Sequence, residues 1–144
     1  MSEATPQQHP ITAEQFFELG LERAELVDGR VVEGEVPGEL HALIQALVTG
    51  ALVAWALPNK AGRVLVEAGF VVDGDRGQVR IPDVSFVAAE RCDEPVSGWS
   101  PVPPDIAVEV VSPSDQADAL QRKVTQLLDA GVQEVWVVHP QTQT

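Results

Sequence analysis

Cysteine and basic residues are both scarce in this chain of 144 residues. The single cysteine, Cys92, cannot form an internal disulfide or build a thiolate zinc site, which is typical of a reducing compartment, so we expect a cytoplasmic protein. Lys and Arg number 9 against 22 Asp and Glu, which gives a net charge of −13. This charge disfavours bulk attraction to nucleic acid or anionic membranes, so any contact with a phosphate backbone must be local.

Several other signals are missing. The polar N-terminus lacks the apolar core of a secretory signal, and the longest apolar run, residues 46–57, is too short to span a bilayer, so we expect no membrane contact. No phosphate-binding glycine loop, nucleophile-elbow serine or complete calcium loop occurs. A chain of this size can still bury a core. We predict one domain at residues 11–140, between a flexible N-terminus at 1–10 and a short tail at 141–144.

The first third of the chain predicts a helix, a hairpin and a second helix. Thr12 and Gln15 are spaced as a capping box. Asp28-Gly29 separates two apolar runs, as in a hairpin with a two-residue turn. A long core helix with one wide apolar face follows and ends at Pro58. The apolar positions of that helix are Leu40, Leu43, Ile44, Leu47, Val48, Ala51, Leu52 and Trp55.

The remainder predicts strands and one further helix. We expect strands at 64–73, 80–89, 106–111 and 135–138, with a turn at 73–77. Between the last two strands, a helix begins at Ser112 and ends at Gly131, so these two strands should lie parallel. The order of elements indicates an α/β domain with a mixed β-sheet.

Glu109 stands out because the strand around it, residues 106–111, is otherwise apolar and is typical of a strand buried on both faces. An unpaired carboxylate there would cost several kcal/mol. A metal ion, an ion-pair partner or a raised pKa must therefore compensate. The structural alternative is an ion pair at a strand end.

Four more polar residues are candidates, each with an ordinary structural alternative. Asp83 precedes a strand and by itself fits a turn aspartate. Lys123 borders the apolar face of the later helix, where its stem can reach toward the sheet, although most helical lysines are solvated. His41 lies at the edge of the first long helix's apolar face, a common place for a structural histidine. Glu67 is a third acid within the strand predicted at 64–73.

One candidate site combines Asp83, Glu109 and Lys123. An Asp on one strand, a Glu on the next and a Lys on the following helix can converge at one end of a sheet. Two carboxylates can hold a divalent metal ion, and the metal lowers the pKa of a bound water. A lysine beside it can orient that water or offset charge on a phosphate. These residues are the minimum for metal-assisted phosphodiester hydrolysis.

Five segments of the sequence form a specific set. They are His41 on its helix, Pro82-Asp83-Val84-Ser85, Val108-Glu109-Val110-Val111-Ser112-Pro113-Ser114, Lys123, and Gly131-Val132-Gln133-Glu134-Val135-Trp136-Val137-Val138. This set resembles a large family of bacterial putative restriction endonucleases in the PD-(D/E)XK nuclease superfamily. The similarity extends over about residues 11–140.

The resemblance implies a restriction-endonuclease-like fold, a mixed β-sheet flanked by helices with an N-terminal helix and β-hairpin. It implies Asp83 and Glu109 as ligands of Mg²⁺ or Mn²⁺, Lys123 as a catalytic residue and His41 as an accessory one. The superfamily's usual lysine, two residues after the second acid, is replaced here by Val111, and the family supplies its lysine from the next helix. We therefore expect a metal-dependent endonuclease that acts on DNA, with Glu67 as a further candidate.

Two alternatives stay open, because a fold does not fix a function. The chain can be a catalytically inactive scaffold or protein-binding module, which Val111 and the net charge of −13 both favour. The polar residues can also form only a structural ion-pair network, in which case neutralising Glu109 together with Lys123 would leave stability unchanged or raise it. For the active enzyme we expect a homodimer, since duplex cleavage needs two sites and small α/β domains with apolar edges often pair.

Overall fold

A computed structural model describes residues 9–72 and 77–144, and these residues form three α-helices and eight β-strands. Residues 1–8 of the predicted N-terminal segment and residues 73–76 of the predicted turn lie outside this description. The helices are α1 (Ala13–Glu18), α2 (Glu39–Asn59) and α3 (Ala117–Asp129). The strands are β1 (Ala24–Val27), β2 (Arg30–Glu33), β3 (Gly62–Val66), β4 (Phe70–Val71), β5 (Val79–Arg80), β6 (Val84–Ala88), β7 (Ile106–Val110) and β8 (Glu134–Val138).

The strands form two four-stranded sheets. The hairpin sheet has the order β2-β1-β5-β4 and is antiparallel, whereas the central sheet has the order β3-β6-β7-β8. The central sheet is mixed, because β7 pairs parallel with β8 while its other pairings are antiparallel. The predicted crossover and the α/β class with a mixed sheet are confirmed. The hairpin sheet is a second layer that the sequence did not predict.

The N-terminal helix and the hairpin form as their residues predict. The Thr12 hydroxyl accepts from the Gln15 backbone N–H, and the Gln15 side chain accepts from the Thr12 N–H, which completes the capping box. Asp28 and Gly29 both have positive φ, at 52° and 73°, so the hairpin turns in the tight form that its strand twist favours.

The long helix α2 differs from its prediction at the end and on its surface. Pro58 lies inside the last turn, and the helix ends at Lys60, which takes a left-handed conformation with φ of 49°. Of its residues only Leu52 and Ala56 are buried; Leu52 belongs to the predicted apolar stripe, whereas the other leucines of that stripe are exposed. The predicted face therefore lies only partly in the core, because α2 is apolar around most of its circumference and only one side of it faces the sheet. The exposed leucines are Leu40, Leu43, Leu47 and Leu57.

By length and composition alone, α2 is also able to cross a membrane. The helix is longer than the run at 46–57 on which the sequence prediction was based, since the helical segment extends through Glu39–Asn59. In this fold α2 instead lies on one face of the central sheet, where Leu52 packs with Val84 and Val108.

Two predicted strands are each broken in two. The strand expected at 64–73 ends at Val66, bends at Glu67 with a positive φ of 51°, and resumes as β4 in the other sheet. The strand expected at 80–89 is likewise divided between β5 and β6 by residues 81–83. Glu67 therefore lies in a bend and not within a strand as predicted. Both breaks occur where the chain crosses from one sheet to the other.

The helix α3 begins five residues later than predicted, at Ala117. Ser112 does not cap it, because the Ser112 backbone N–H donates to Asp115 Oδ2 at 2.8 Å and closes a separate turn. The end of α3 agrees with the prediction, since Gly131 has a positive φ of 102° directly after the last turn.

The helix α3 covers the face of the central sheet opposite α2. Leu127 is fully buried there, together with Val87 and Ala107. Neighbouring side chains of β7 therefore point to different layers, with Val108 toward α2 and Ala107 toward α3. Glu109 follows in this alternation and shares the side of Ala107, so it faces α3. The four buried positions of β7 from Ala107 to Val110 confirm its prediction as a covered central strand.

Candidate active site

Asp83 lies at the entrance to β6 and is held by contacts from two other elements. Its Oδ2 accepts a hydrogen bond from the Val110 backbone N–H of β7 at 2.7 Å. Its Oδ1 lies 3.4 Å from Nε2 of His41, which α2 presents from its sheet-facing side. Burial raises the pKa of Asp83, whereas the Val110 hydrogen bond and the charges of His41 and Lys123 act against that rise.

Glu109 is the buried acid of the central strand, and α3 supplies its partner. Its Oε1 lies 2.8 Å from Nζ of Lys123. Burial raises the pKa of Glu109 to about 7; the Lys123 charge opposes that shift and the Asp83 charge adds to it. Two of the three ways to compensate for this carboxylate, an ion-pair partner and a raised pKa, are therefore present.

Lys123 is nearly buried and lies between two carboxylates. Its Nζ is 2.8 Å from Glu109 Oε1, 2.8 Å from Glu25 Oε2, and 3.4 Å from the Ile81 carbonyl oxygen. Burial by itself would lower the pKa of Lys123, but the charges of Glu109 and Glu25 raise it above its ordinary value. The lysine therefore stays protonated, and its stem reaches the sheet as the sequence predicted.

Glu25 belongs to this cluster and was missed in the sequence analysis. From β1 of the hairpin sheet, its Oε2 accepts the Ile81 backbone N–H at 2.6 Å, and its Oε1 lies 3.6 Å from Nη1 of Arg80. An acidic residue in a short hairpin strand is usually solvated, so the sequence around Glu25 gives no sign that its side chain pairs with Lys123. Only the pairing of β1 with β5 brings it to Lys123.

Glu67 lies beside the cluster, on the solvent side. Its side chain is half exposed and contacts Arg23 at 3.9 Å and Gln45 at 3.5 Å. Its backbone N–H donates to the Asp83 carbonyl oxygen at 3.2 Å, and the Gln45 side chain donates to that oxygen at 2.9 Å. Glu67 therefore contributes charge and backbone support near Asp83, away from the Lys123 ion pairs.

The antiparallel register places the two predicted metal-binding acids side by side. Val84 pairs with Val108, so Asp83 at the entrance to β6 adjoins Glu109 on β7. No three His, Cys, Asp or Glu side chains are arranged to hold a metal ion anywhere in residues 9–72 or 77–144. Mg²⁺ in proteins is often held by only one or two carboxylates, with water and substrate phosphate as its other ligands. The oxygen donors of Asp83 and Glu109 fit that type of site.

All four residues predicted for the site thus lie in one continuous series of contacts. His41 reaches Asp83, Asp83 holds the backbone next to Glu109, and Glu109 pairs with Lys123. One buried acid, one partly buried acid and a nearly buried lysine at the junction of two sheets form an arrangement that can bind a cation and an anionic group together. Perturbed acids of this kind cluster at functional sites.

Comparison with known proteins gives a matching family model and matching solved structures. A family model described as "Uma2: Putative restriction endonuclease" matches residues 13–144. A solved structure described as a putative nuclease belonging to DUF820, from Anabaena variabilis ATCC 29413, is 23% identical. The match covers 90% of this chain and 74% of that chain, with a TM-score of 0.75, and shows a shared fold. No curated protein matches. The family resemblance and the fold class predicted from the sequence are confirmed.

Proposed function

Because the chain belongs to the Uma2 family of putative restriction endonucleases, we propose that it is a metal-dependent nuclease that hydrolyses phosphodiester bonds in DNA. The observation that carries the proposal is the pair of adjoining acids, Asp83 and Glu109, with the Lys123 ammonium 2.8 Å from Glu109. Buried acids without function are normally each satisfied by a cation or by several donors. Here Lys123 is the ion-pair partner of both Glu109 and Glu25, while Asp83 contacts His41 and Glu25 also contacts Arg80. Glu109 therefore shares its cation with a second acid, which leaves negative charge on the pair of Asp83 and Glu109 for a divalent cation.

Asp83 and Glu109 would hold Mg²⁺ or Mn²⁺. When bound, the metal supplies a water of lowered pKa and stabilises charge on the phosphate. Burial raises the pKa of both carboxyls, and the charge of Asp83 raises the pKa of Glu109 further, so a cation between them relieves an unfavourable interaction. The Val110 N–H fixes the direction of the Asp83 carboxylate before any ligand binds.

Lys123 and His41 would act on either side of these acids. The protonated Lys123 ammonium attracts a phosphate oxygen or orients a water, because it is a fixed positive charge in a site of low polarity. His41 Nε2, 3.4 Å from Asp83 Oδ1, steadies that carboxylate and can accept a proton beside it. Glu67 adds negative charge at the solvent side of Asp83.

A second candidate function is a catalytically inactive scaffold or protein-binding module of the same fold. The observation that favours it is the saturation of Lys123, whose ammonium already contacts two carboxylates and a carbonyl oxygen. A net charge of −13 also opposes the approach of a DNA duplex. The two functions differ in whether the acids bind a metal and whether DNA is cut.

The first experiment is calorimetric titration of Mn²⁺ into the wild type and into Asp83→Asn. We expect saturable binding in the wild type that is lost in the variant, because the substitution removes charge but keeps the shape of the side chain. Asp118→Asn, at an exposed position in the first turn of α3, is the matched control and should bind as the wild type does. Absence of binding at millimolar Mn²⁺ in folded wild type would favour the scaffold.

The second experiment measures cleavage of supercoiled plasmid with Mg²⁺ or Mn²⁺. Asp83→Asn, Glu109→Gln and Lys123→Met should each lower the rate at least about 100-fold, since removing one transition-state contact typically costs 10² or more. Circular dichroism checks that each variant is folded. Metal binding without any cleavage would contradict the nuclease proposal and leave a metal-binding scaffold.

A further inference from the structure

The outer face of α2 is a long uncharged surface with no partner among the described residues. Leu43, Leu47 and Leu57 are 53%, 60% and 71% exposed, and Leu40 is also exposed. The charged or titratable residues of α2 are Glu39 and His41, which lie in its first turn. From Ala42 to Asn59 the helix therefore offers solvent a continuous apolar side. We define the outer face of α2 as Leu40, Leu43, Ala46, Leu47, Gly50, Ala54 and Leu57.

The area of this face lies within the range of functional apolar patches. A fully exposed leucine side chain carries about 150–200 Å² of surface, so the four exposed leucines present roughly 400 Å². The largest apolar patch of a monomeric protein is typically about 300–600 Å² and is often functional. With the alanines and the glycine between the leucines, two such faces would bury roughly 1,000 Å² in total, which is the lower limit of a specific interface.

Gly50 gives the face a second notable property. It lies in the middle of a helix, where glycine costs about 1 kcal/mol relative to alanine. Nothing lies within 4 Å of the position that its Cβ would occupy, so packing inside the protomer does not require a glycine there. Ala46, Gly50 and Ala54 follow at four-residue spacing, and their small side chains leave a shallow groove between the leucines. Such a groove lets a second helix approach closely.

We infer that the outer face of α2 is the interface of a homodimer, in which α2 packs on the α2 of a second copy. A second copy supplies the same uncharged surface, and a two-fold axis through Gly50 makes that surface complementary to itself. Two chains that each carry a charge of −13 repel one another, so a contact between them is best made where neither has charge. The inference depends on this surface and not on nuclease activity.

A membrane is a poorer occupant for the same face. The sheet-facing side of α2 is tied to the fold, since Gln45 donates to the Asp83 carbonyl oxygen and Leu52 is buried against the central sheet. To span a bilayer, α2 would have to leave those contacts. Helices that lie on membrane surfaces carry Lys and Arg along their polar side, and α2 contains neither.

The proposed dimer also has a consequence for the candidate site. His41 and Gln45 contact Asp83 from the inner side of α2. Packing of two α2 helices would therefore place the two clusters back to back across one helix pair. In this dimer, the helix α2 would connect the dimer axis directly to the candidate site.

The test is the mass in solution of the full chain, measured by light scattering and sedimentation at roughly 5–200 µM, a range that spans the micromolar dissociation constants of small interfaces. We expect a dimer for the wild type and for Leu128→Glu, a half-exposed leucine on α3 that serves as the matched control. Leu47→Glu should shift the protein to monomer, with at least a 100-fold weaker association. A monomeric wild type at the highest concentration, or a dimeric Leu47→Glu, would overturn the inference.

A cross-linking experiment tests the same interface without relying on a destabilising charge. In a Cys92→Ser background, Gly50→Cys should form a disulfide-linked dimer on mild oxidation, because two Gly50 residues face each other at the axis. Gly98→Cys, also exposed and open to a new Cβ, is the control and should remain mostly monomeric. Equal cross-linking of both cysteines would contradict the proposed axis. Flotation of the wild type with phosphatidylcholine vesicles would overturn the inference in favour of a membrane surface.

Discussion

At the scale of single residues, the shared lysine is the most informative feature. Lys123 lies 2.8 Å from both Glu109 and Glu25, so the two acids compete for one positive charge. If Glu25 loses its charge, Lys123 neutralises Glu109 more completely. The charge at Glu109, and with it the strength of this carboxylate in the proposed metal site, is therefore set partly from the hairpin sheet.

Glu25→Gln should weaken Mn²⁺ binding and lower the cleavage rate, each by about tenfold, a change of ~1.4 kcal/mol. The amide oxygen can still accept the Ile81 N–H, so the hairpin should stay attached. Titration calorimetry and plasmid cleavage are the measurements. Glu33→Gln, at an exposed position of the same hairpin, is the control and should change neither. Unaltered metal binding in Glu25→Gln would show that Glu25 acts on the fold alone.

Glu109 should also make stability depend on pH in the absence of metal. Its folded pKa of about 7 lies above its ordinary value of 4.5, so the folded state binds more protons than the unfolded state between these pH values. The free energy of unfolding therefore falls as the pH rises from about 4.5 to 7, by roughly 3 kcal/mol.

Urea denaturation at pH 5 and pH 7.5, with chelator present, measures this fall in stability. In Glu109→Gln, which has no titrating group at this position, the difference between the two pH values should shrink by most of that amount. A variant with the same pH dependence as the wild type would assign the effect to other groups.

The role of a single residue was predictable from sequence where a polar side chain stands among apolar neighbours. Glu109 was identifiable because an acid in an apolar strand needs compensation, and Lys123 because it borders an apolar helix face. Glu25 carries no such local contrast. Its position depends on the pairing of Leu26 with Val79, residues that are 53 positions apart in the chain, and no short-range pattern encodes that pairing.

At the scale of elements, the β1–β2 hairpin depends on one tight contact. Gly29 has a φ of 73°, and a Cβ there would lie 2.6 Å from Pro10 Cβ. Its backbone also accepts the Ile11 N–H at 2.9 Å and donates to the Gly77 carbonyl at 2.9 Å. The turn is therefore fastened to both the N-terminal segment and the loop before β5.

Gly29→Ala should lower the free energy of unfolding by about 2–3 kcal/mol, from the left-handed backbone and the steric clash together. Gly20→Ala is the control, because Gly20 has a similar φ of 60° but open space around it. That variant should lose only about 1 kcal/mol. Thermal and urea denaturation distinguish the two values, and equal losses would mean that the contact with Pro10 relaxes without cost.

The boundaries of elements were less predictable than their existence. The breaks at Glu67 and at residues 81–83 divide runs whose apolar pattern continues, because both halves of each run are buried, although in different sheets. The start of α3 was placed too early because Ser112 and Asp115 have the spacing of a helix cap and use it instead to close a turn. In both cases, tertiary packing decides between two local structures that the same residues allow.

At the scale of the whole molecule, the charge of −13 should make stability increase with salt. Self-repulsion destabilises a compact state, and added salt screens it over about 10 Å at 0.1 M. We expect the Tm to rise by several degrees between about 10 mM and 300 mM NaCl, because the screening length falls from about 30 Å to below about 8 Å. Scanning calorimetry measures this, and a falling Tm would indicate that the ion pairs around Lys123 outweigh the surface repulsion.

The topology of the fold was predictable mainly from the order and spacing of a few strands and helices in the second half of the chain. The strand at Glu109, the helix with Lys123 and the following strand form a crossover unit whose topology has few alternatives. The hairpin sheet was not predictable, because β4 and β5 have only two residues each and carry no recognisable period. The candidate site was thus predicted on the central sheet, and its connection to the hairpin sheet was not.

The distribution of the cluster along the chain has a consequence for biosynthesis. Glu25 is made early, Asp83 and Glu109 follow, and Lys123 is added almost a hundred residues after Glu25. Until α3 emerges from the ribosome, the nascent polypeptide contains the acids but not the cation that pairs with them. The cluster therefore assembles only after α3 has emerged, and a polypeptide released before Lys123 would lack it.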